Sequence, residues 1–334
     1  MAANGEVQGG GSFAAAKGDL FTRVRPRAHE WRGREGGQVR KMSAKRKLII
    51  EARLNEYMSR SANPNVPFTA EEIALEAAKA REAGASIVHF HARGAEGAPA
   101  HGAEDYAKAI TAIRDACDCL VYPTLGQITK DGRESRLAHL EVLAKDPATR
   151  PDIAPIDTGS TNIDRFDPEA RKFLSDTMTY RNDVATLKLF AKRLPELGVK
   201  PQFVSWTVAF TRTFEALREM GLVVDPAYLM FELTDQGILG GHPGTVKGLL
   251  AHLDFLPAQP LEWSVCNKIG NITAPAAAAI EMGGHVSVGL GDYGWPELGT
   301  PNNGDVVRHI ANLARAMGRE IAAPDEAREM LGLR

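Results

Sequence analysis

The sequence predicts an α/β protein whose main part is a single (β/α)8 barrel. Short apolar runs rich in β-branched residues alternate with amphipathic stretches from residue 47 to the end of the chain, and about eight such pairs follow one another. No change of composition within this region marks a linker. A series of strand and helix units of this length favours a closed parallel barrel over an open sheet.

Each unit supplies one strand and one helix. The predicted strands are Leu48–Leu54, Ser86–Ala92, Leu120–Thr124, Asp152–Asp157, Gln202–Trp206, Tyr228–Thr234, Leu261–Cys266 and His285–Leu290. The predicted helices run from Thr69 to Ala83 and over Ala103–Ala116, Glu134–Lys145, Asp183–Leu194, Thr211–Met220, Gly244–Leu253, Ala274–Met282 and Asp305–Met317. The first helix has the clearest ends, because Thr69 is a favourable N-cap before two acidic residues and Gly84 stops the helix.

An open sheet of the dinucleotide-binding type is the alternative fold. It would need a Gly-x-Gly-x-x-Gly turn after the first strand, where the chain reads Asn55-Glu56-Tyr57. A lone Gly289-Leu290-Gly291 follows the last strand. In a barrel, glycines at that place would let the backbone approach a ligand phosphate.

Residues 1–45 differ in composition from the rest of the chain. They are rich in glycine and arginine, show no apolar periodicity and lack the apolar segment of a secretory signal. We therefore expect a disordered or non-native leader over residues 1–45 and one catalytic domain over residues 46–334.

Composition excludes several classes of partner. The 334-residue chain has a formal net charge of −2, and no basic stripe with interleaved aromatics follows the leader, so we expect no nucleic acid. No apolar run reaches the roughly 18 to 20 residues that a membrane-spanning helix needs. The 3 cysteines are an odd number without metal-ligand spacing, which indicates a reduced, cytoplasmic setting.

Two histidines end the second predicted strand. In Ile87-Val88-His89-Phe90-His91, the strand period of two places His89 and His91 on one face and Phe90 on the other. Barrel enzymes carry their active sites at the carboxyl ends of the strands, and paired imidazoles are natural zinc ligands. The pattern predicts a divalent metal, with zinc favoured, although hydrogen bonds within a polar barrel mouth would also satisfy two histidines.

Other polar residues lie at predicted strand ends. Zinc needs a third protein ligand, and the acidic candidates are Glu51, Glu56, Asp157, Glu232 and Asp292. Glu232 lies in an otherwise apolar strand, so its charge needs either a metal or an ion pair with an arginine. Further candidates are hydroxyl, amide and glycine positions after the first, third and fourth strands, namely Asn55, Thr124, Thr158, Gly159 and Ser160. The last three resemble a small anion pocket, but an ordinary polar turn has the same pattern.

These pieces together resemble the β-keto acid cleavage enzymes, the family that includes 3-keto-5-aminohexanoate cleavage enzyme. The matching motifs are residues 69–73, 83–93, 159–162, 283–292 and 318–328. The resemblance implies a zinc-bearing TIM barrel that cleaves a small β-keto acid together with a coenzyme A thioester, with acetyl-CoA as co-substrate. It also implies a homo-oligomer.

The resemblance assigns roles to several residues. It makes His89 and His91 metal ligands and places Thr124 where the family carries a serine hydroxyl. It matches Asp292 to an aspartate that takes part in proton transfer, and it places Glu56 within one residue of a glutamate that touches the substrate.

The last strand departs from the family pattern. The family typically has an arginine and a metal-ligating glutamate where this chain has Ser287 and Gly291. We therefore hypothesise that Glu232, from the sixth strand, reaches the vacant ligand position.

The function we expect is zinc-dependent cleavage of a β-keto acid with acyl transfer to or from a coenzyme A thioester. A zinc lyase or hydrolase that needs no coenzyme A is one alternative. A non-catalytic protein that binds small molecules is another, because the usual arginine and glutamate are absent from the last strand.

Overall fold

A computed structural model describes residues 46–126, 132–258 and 260–333, and they form the predicted barrel. The predicted leader lies outside the described residues. The eight barrel strands are β1 (Ile50–Arg53), β2 (Ile87–Phe90), β3 (Leu120–Pro123), β4 (Ile153–Asp157), β5 (Lys200–Ser205), β6 (Ala227–Thr234), β7 (Leu261–Lys268) and β8 (His285–Val288). Each agrees with a predicted strand to within a few residues.

The strands form one parallel sheet in the order β3-β2-β1-β8-β7-β6-β5-β4. Asp152 links the two outer strands: its backbone N–H donates to the Val121 carbonyl at 2.9 Å and its carboxylate accepts from the Val121 N–H at 2.8 Å. The sheet is therefore a nearly closed barrel, and the carboxyl ends of all eight strands meet at one mouth.

Helices surround the sheet. They are α1 (Ala70–Ala83), α2 (Ala103–Ala116), α3 (Arg133–Leu143), α4 (Val184–Glu196), α5 (Val208–Glu219), α6 (Val246–Leu253), α7 (Thr273–Glu281), α8 (Asn303–Ala316) and α9 (Pro324–Leu331). Helix α1 starts with the expected cap, a capping box between Thr69 and Glu72, and ends at Gly84, whose φ is 121°. Within the described part of the chain, none of the helices has the length and apolar character needed to cross a membrane.

The strand period of two divides each strand between two environments. On β1, Ile50 and Ala52 pack outward into the apolar layer beneath the helices, whereas Ile49, just before the strand, belongs to a second apolar cluster at the amino end of the barrel. Glu51 and Arg53 point inward like Ile49 and lie progressively nearer the mouth, and both are buried. Polarity thus increases along the interior from its closed end to its mouth.

Helix α9 covers the closed end of the barrel. Its residues Ala327 and Leu331, with Ala322 just before it, pack against Ile49 and Ile87. This helix was not predicted from the sequence. No strand separates it from α8, so it lies outside the repeating strand and helix units on which the prediction was based.

An excursion of the chain between β4 and α4 was also not predicted. It contains two small antiparallel pairs, in which Thr161–Asn162 pairs with Thr179–Tyr180 and Phe166–Asp167 pairs with Lys172–Phe173. Strands of two residues carry no periodic signal in a sequence. The excursion leaves from the carboxyl end of β4, so it lies at the mouth.

Asn303 joins three parts of the barrel wall. Its side-chain amide donates to the Leu54 carbonyl and to the Glu76 carboxylate, and its side-chain oxygen accepts from the Leu290 N–H. Asn303→Ala removes these three hydrogen bonds and leaves the buried Leu54 carbonyl and Leu290 N–H without their side-chain partner, so the free energy of unfolding should fall by roughly 2–4 kcal/mol.

Chemical denaturation of Asn303→Ala beside Asn312→Ala measures this effect. Asn312 is exposed on the same helix, so its variant should stay within about 0.5 kcal/mol of the parent. Equal stability of the two variants would contradict the assigned role of Asn303.

Candidate active site

A cleft opens at the carboxyl ends of the barrel strands. Its walls are mostly polar and aromatic side chains from the strands and from the loops that follow them: Arg53, Glu56, Tyr57, His89, His91, Tyr122, Thr124, Pro155, Asp157, Tyr180, Val204, Trp206, Met230, Glu232 and Lys268. This position is where barrel enzymes carry their chemistry.

The two histidines face this cleft together. Phe90, between them, packs into the outer apolar core, as the strand period requires. The ring centroids of His89 and His91 lie 5.3 Å apart with the rings nearly perpendicular. His89 Nδ1 lies 2.9 Å from the Tyr122 carbonyl oxygen. A carbonyl only accepts, so Nδ1 carries the proton and Nε2 of a neutral His89 presents its lone pair to the cleft.

Glu56 meets both imidazoles. Its Oε1 lies 2.8 Å from His89 Nε2, and its Oε2 lies 3.0 Å from His91 Nε2. In the described part of the chain, Glu56, His89 and His91 are the one group of three metal-ligating side chains whose ligand atoms all lie within 4.8 Å of one another.

Local backbone geometry brings Glu56 to this place. Its φ of 40° is in the left-handed region, which turns the side chain back toward β2. Gly291 makes room for it, because a Cβ at position 291 would lie 2.7 Å from Glu56 Cγ and 2.9 Å from the Glu56 backbone nitrogen. The glycine that replaces the expected glutamate of the last strand therefore leaves space for a glutamate from the loop after β1.

The protonation states of the three groups favour a cation between them. Burial lowers the pKa of His89 to about 4, against the opposing charge of Glu56, and it also lowers the pKa of His91. Burial alone would raise the pKa of Glu56, but Arg53, Lys268 and the two histidines hold it well below its usual range. The lone pair of His89 Nε2 then faces an ionised carboxylate at hydrogen-bond distance. Two nitrogens and a carboxylate oxygen are a donor set that fits zinc.

Two cations balance the acidic groups of the mouth. Arg53 Nη2 lies 2.6 Å from Glu56 Oε1, and Arg53 Nε lies 2.7 Å from Asp292 Oδ2. Lys268 Nζ lies 3.5 Å from both Glu56 Oε2 and Glu232 Oε1. The sequence analysis missed both cations. Their one signal was an inward position near the end of a strand.

Asp292 is buried in the loop that follows the last strand. Burial raises its pKa to about 7, although Arg53 acts in the opposite direction. Its ion pair with Arg53 places it beside Glu56. The structure thus brings the residue expected to transfer protons to the same cluster as the histidines.

Glu232 and Thr124 also line the cleft. The Glu232 carboxylate lies 3.9 Å from Arg53 Nη2 in addition to its contact with Lys268, which is the ion-pair arrangement considered as the alternative to a ligand role. The Thr124 hydroxyl oxygen accepts from the Gly126 N–H at 3.3 Å. It is the one aliphatic hydroxyl among the wall residues given above, since the others belong to tyrosines.

Three of the four residues expected to bind substrate have side chains that hydrogen-bond to the backbone in the structure. Asn55 donates to the Pro67 and His91 carbonyls and accepts from the His91 N–H, so it fixes the backbone of a histidine. The Thr158 hydroxyl donates to the Val204 carbonyl, and the Ser160 hydroxyl accepts from the Asn182 N–H.

Gly159, between Thr158 and Ser160, lies against the ring of Phe210, which a Cβ at this position would approach to 2.6 Å. Asn55, Thr158, Gly159 and Ser160 are all absent from the cleft wall given above. Their binding role stays a prediction.

The far wall of the cleft is aromatic. Asp157, at the end of β4, accepts from Trp206 Nε1 at 2.8 Å and from the Tyr180 hydroxyl. Burial raises the pKa of Asp157 to about 6. Tyr180 belongs to the excursion, so the unpredicted segment supplies part of the cleft wall.

Several known proteins have sequences similar to this one. The sequence model of the beta-keto acid cleavage enzyme family matches residues 47–333. The 3-keto-5-aminohexanoate cleavage enzyme of Fusobacterium nucleatum subsp. nucleatum is 33% identical over 292 residues, which are 86% of this chain and 98% of that protein. The 3-dehydrocarnitine:acetyl-CoA trimethylamine transferase of Rhizobium meliloti is 29% identical over 299 residues, which are 82% and 92% of the two chains.

Solved structures share the fold. The apo structure of ObcA matches with a TM-score of 0.62 at 15% identity, over 81% of this chain and 66% of that chain. Identity this low shows the fold alone.

The barrel and its buried, charged mouth place this protein among the (β/α)8-barrel proteins that carry a polar site at the ends of their strands. The match of the family model to residues 47–333 identifies one family within this class. The chain belongs to the beta-keto acid cleavage enzyme family, as the sequence motifs indicated.

The geometry predicts which glutamate completes a metal site. Glu56→Gln should lose zinc affinity at least as strongly as the roughly 10- to 100-fold that follows removal of groups that only orient ligands. Glu232→Gln, the matched change on the neighbouring carboxylate, should keep close to the parent affinity. Chelator competition with each zinc-loaded variant measures both values. The reverse order of the two variants would support the hypothesis made from sequence, in which Glu232 is the ligand.

Proposed function

We propose that this protein is a zinc-dependent enzyme that cleaves a small β-keto acid, with acyl transfer to or from a coenzyme A thioester. The observation that carries the proposal is the convergence of Glu56, His89 and His91 at the mouth of a family barrel. The names of the relatives support acetyl-CoA as the co-substrate, since three of them are called acetyl-CoA transferases.

Each group has a role in this reaction. Breaking the carbon–carbon bond beside a ketone leaves negative charge on the ketone oxygen, and a bound zinc supplies Lewis-acid stabilisation of such charge. Glu56, His89 and His91 would hold the ion, and the Thr124 hydroxyl on the same wall would donate to an oxygen of the substrate. The side chains of Glu51 and Arg53 beneath the cluster are buried, and electrostatic interactions are stronger in such a low-dielectric interior.

Asp292 is the proposed proton carrier. A carboxylate must be ionised to accept a proton, and a group whose pKa lies near neutrality is well matched to both accepting and returning one. Arg53 keeps the ionised form beside the cluster through its ion pair with Asp292. A cytoplasmic location and assembly as a homo-oligomer are part of the proposal and follow from the sequence analysis.

The first test of the function is product formation. Zinc-loaded protein incubated with acetyl-CoA and a panel of β-keto acids should form a new coenzyme A ester, measured by liquid chromatography and mass spectrometry. The double variant His89→Ala/His91→Ala is the control and should form none.

Other outcomes favour the alternatives. Loss of the keto acid at the same rate without acetyl-CoA would favour a lyase or hydrolase. Absence of turnover across the panel, with small carboxylates raising the Tm, would favour a binding protein.

The pH profile tests Asp292. The value of kcat/KM should fall as the pH drops below about 7, because the buried carboxyl of Asp292 then becomes protonated. Asp292→Asn should lower kcat by roughly 10²- to 10⁴-fold and remove the limb near pH 7. If the variant kept that limb, another group would be responsible for it.

A further inference from the structure

The guanidinium of Arg53 contacts two carboxylates that have different tasks in the proposed reaction. Its Nη2 lies 2.6 Å from Glu56, the proposed metal ligand, and its Nε lies 2.7 Å from Asp292, the proposed proton carrier. A guanidinium is planar, and its nitrogens lie at fixed separations. The distance between the two carboxylates is therefore set by the dimensions of one rigid group.

Arg53 is itself held from below. The side chain is 4% exposed, and its Nη1 lies 3.9 Å from Glu51 Oε1 in the interior of the barrel. Glu51 accepts from the Ser287 hydroxyl at 2.7 Å, from Gln202 Nε2 at 2.9 Å and from the Tyr228 hydroxyl at 3.3 Å. Three strands thus fix Glu51, and Glu51 faces Arg53.

We propose that Arg53 is a positioning residue that couples the metal site to the proton carrier, with Glu51 as its anchor. Arg53 fixes Glu56 against the two imidazoles and keeps Asp292 at a constant distance from them. This inference rests on the proposed function for the tasks of Glu56 and Asp292, and on the contacts above for the geometry.

Charge and shape make different demands on position 53. A residue kept only to neutralise buried carboxylates is replaceable by lysine at little cost, because the charge is the same. A residue that spans two carboxylates is not, because an ammonium group is a point charge and lacks the planar fork. Arg53→Lys separates these two roles.

Position 287 offers a second way to place an arginine at the same point. Ser287 lies opposite Glu51 in the register of β1 and β8. Its hydroxyl contacts the same Glu51 oxygen that Arg53 faces. We therefore expect a long side chain at position 287 to reach the volume that Arg53→Ala leaves empty.

The experiment compares Arg53→Lys, Arg53→Ala and the double variant Arg53→Ala/Ser287→Arg. The readouts are zinc affinity by chelator competition, and kcat and KM on a keto acid that the parent cleaves. Arg319→Gln is the control, because Arg319 is also a buried arginine but donates to the Ile280 carbonyl at the closed end of the barrel.

We expect Arg53→Lys and Arg53→Ala to bind zinc roughly 10- to 100-fold more weakly than the parent. Their kcat should fall more than KM changes, and the double variant should recover part of both losses. Arg319→Gln should keep the parent zinc affinity even if its Tm falls.

If Arg53→Lys kept the zinc affinity and the kcat of the parent, the proposal would be overturned. This variant carries the test if Arg53→Ala does not fold. A zinc site in the parent that does not use Glu56 would overturn it as well. A parent that binds zinc through Glu56 but cleaves no keto acid would refute the proposed function alone, because the zinc affinities still measure the effect of Arg53.

Discussion

The arrangement of the site depends on one buried carboxylate. Glu56 lies between two imidazole nitrogens on one side and the cations Arg53 and Lys268 on the other. An isolated ionised carboxylate is expensive to bury, so it must be paired or bind a metal. Here the barrel supplies two cations on one side of the carboxylate and two imidazoles on the other, because β1, β2 and β7 end at the same mouth.

The two departures in the last strand are consistent with a relocation of charge. The sequence lacks an arginine and a glutamate at Ser287 and Gly291, and the neighbouring strand β1 with its loop brings Arg53 and Glu56 to the site. Adjacent strands in register place their inward side chains within a few ångströms of one another. A charged residue supplied by β1 or its loop can therefore occupy the same part of the site as one supplied by β8. The glycine at position 291 leaves the necessary space.

Periodicity accounts for what the sequence predicted. The alternation of strands and helices predicted the barrel, and the period of two predicted that His89 and His91 lie on the same face of their strand. Glu56 was one of five acidic candidates for a third ligand, but its place next to the histidines was not predictable, because it needs a left-handed backbone and an empty space at a distant glycine. Arg53 was missed because an arginine in a strand has the same pattern whether its partner is solvent or a buried carboxylate. The short strands of the excursion were missed because two residues show no period.

A zinc-loaded crystal measured at the zinc absorption edge tests the central claim most directly. The anomalous signal locates the ion independently of any assumption about its ligands. We expect one zinc bonded to His89, His91 and a Glu56 oxygen, with Glu232 remaining near Lys268. An ion bonded to Glu232 in place of Glu56, or an ion away from both histidines, would contradict it.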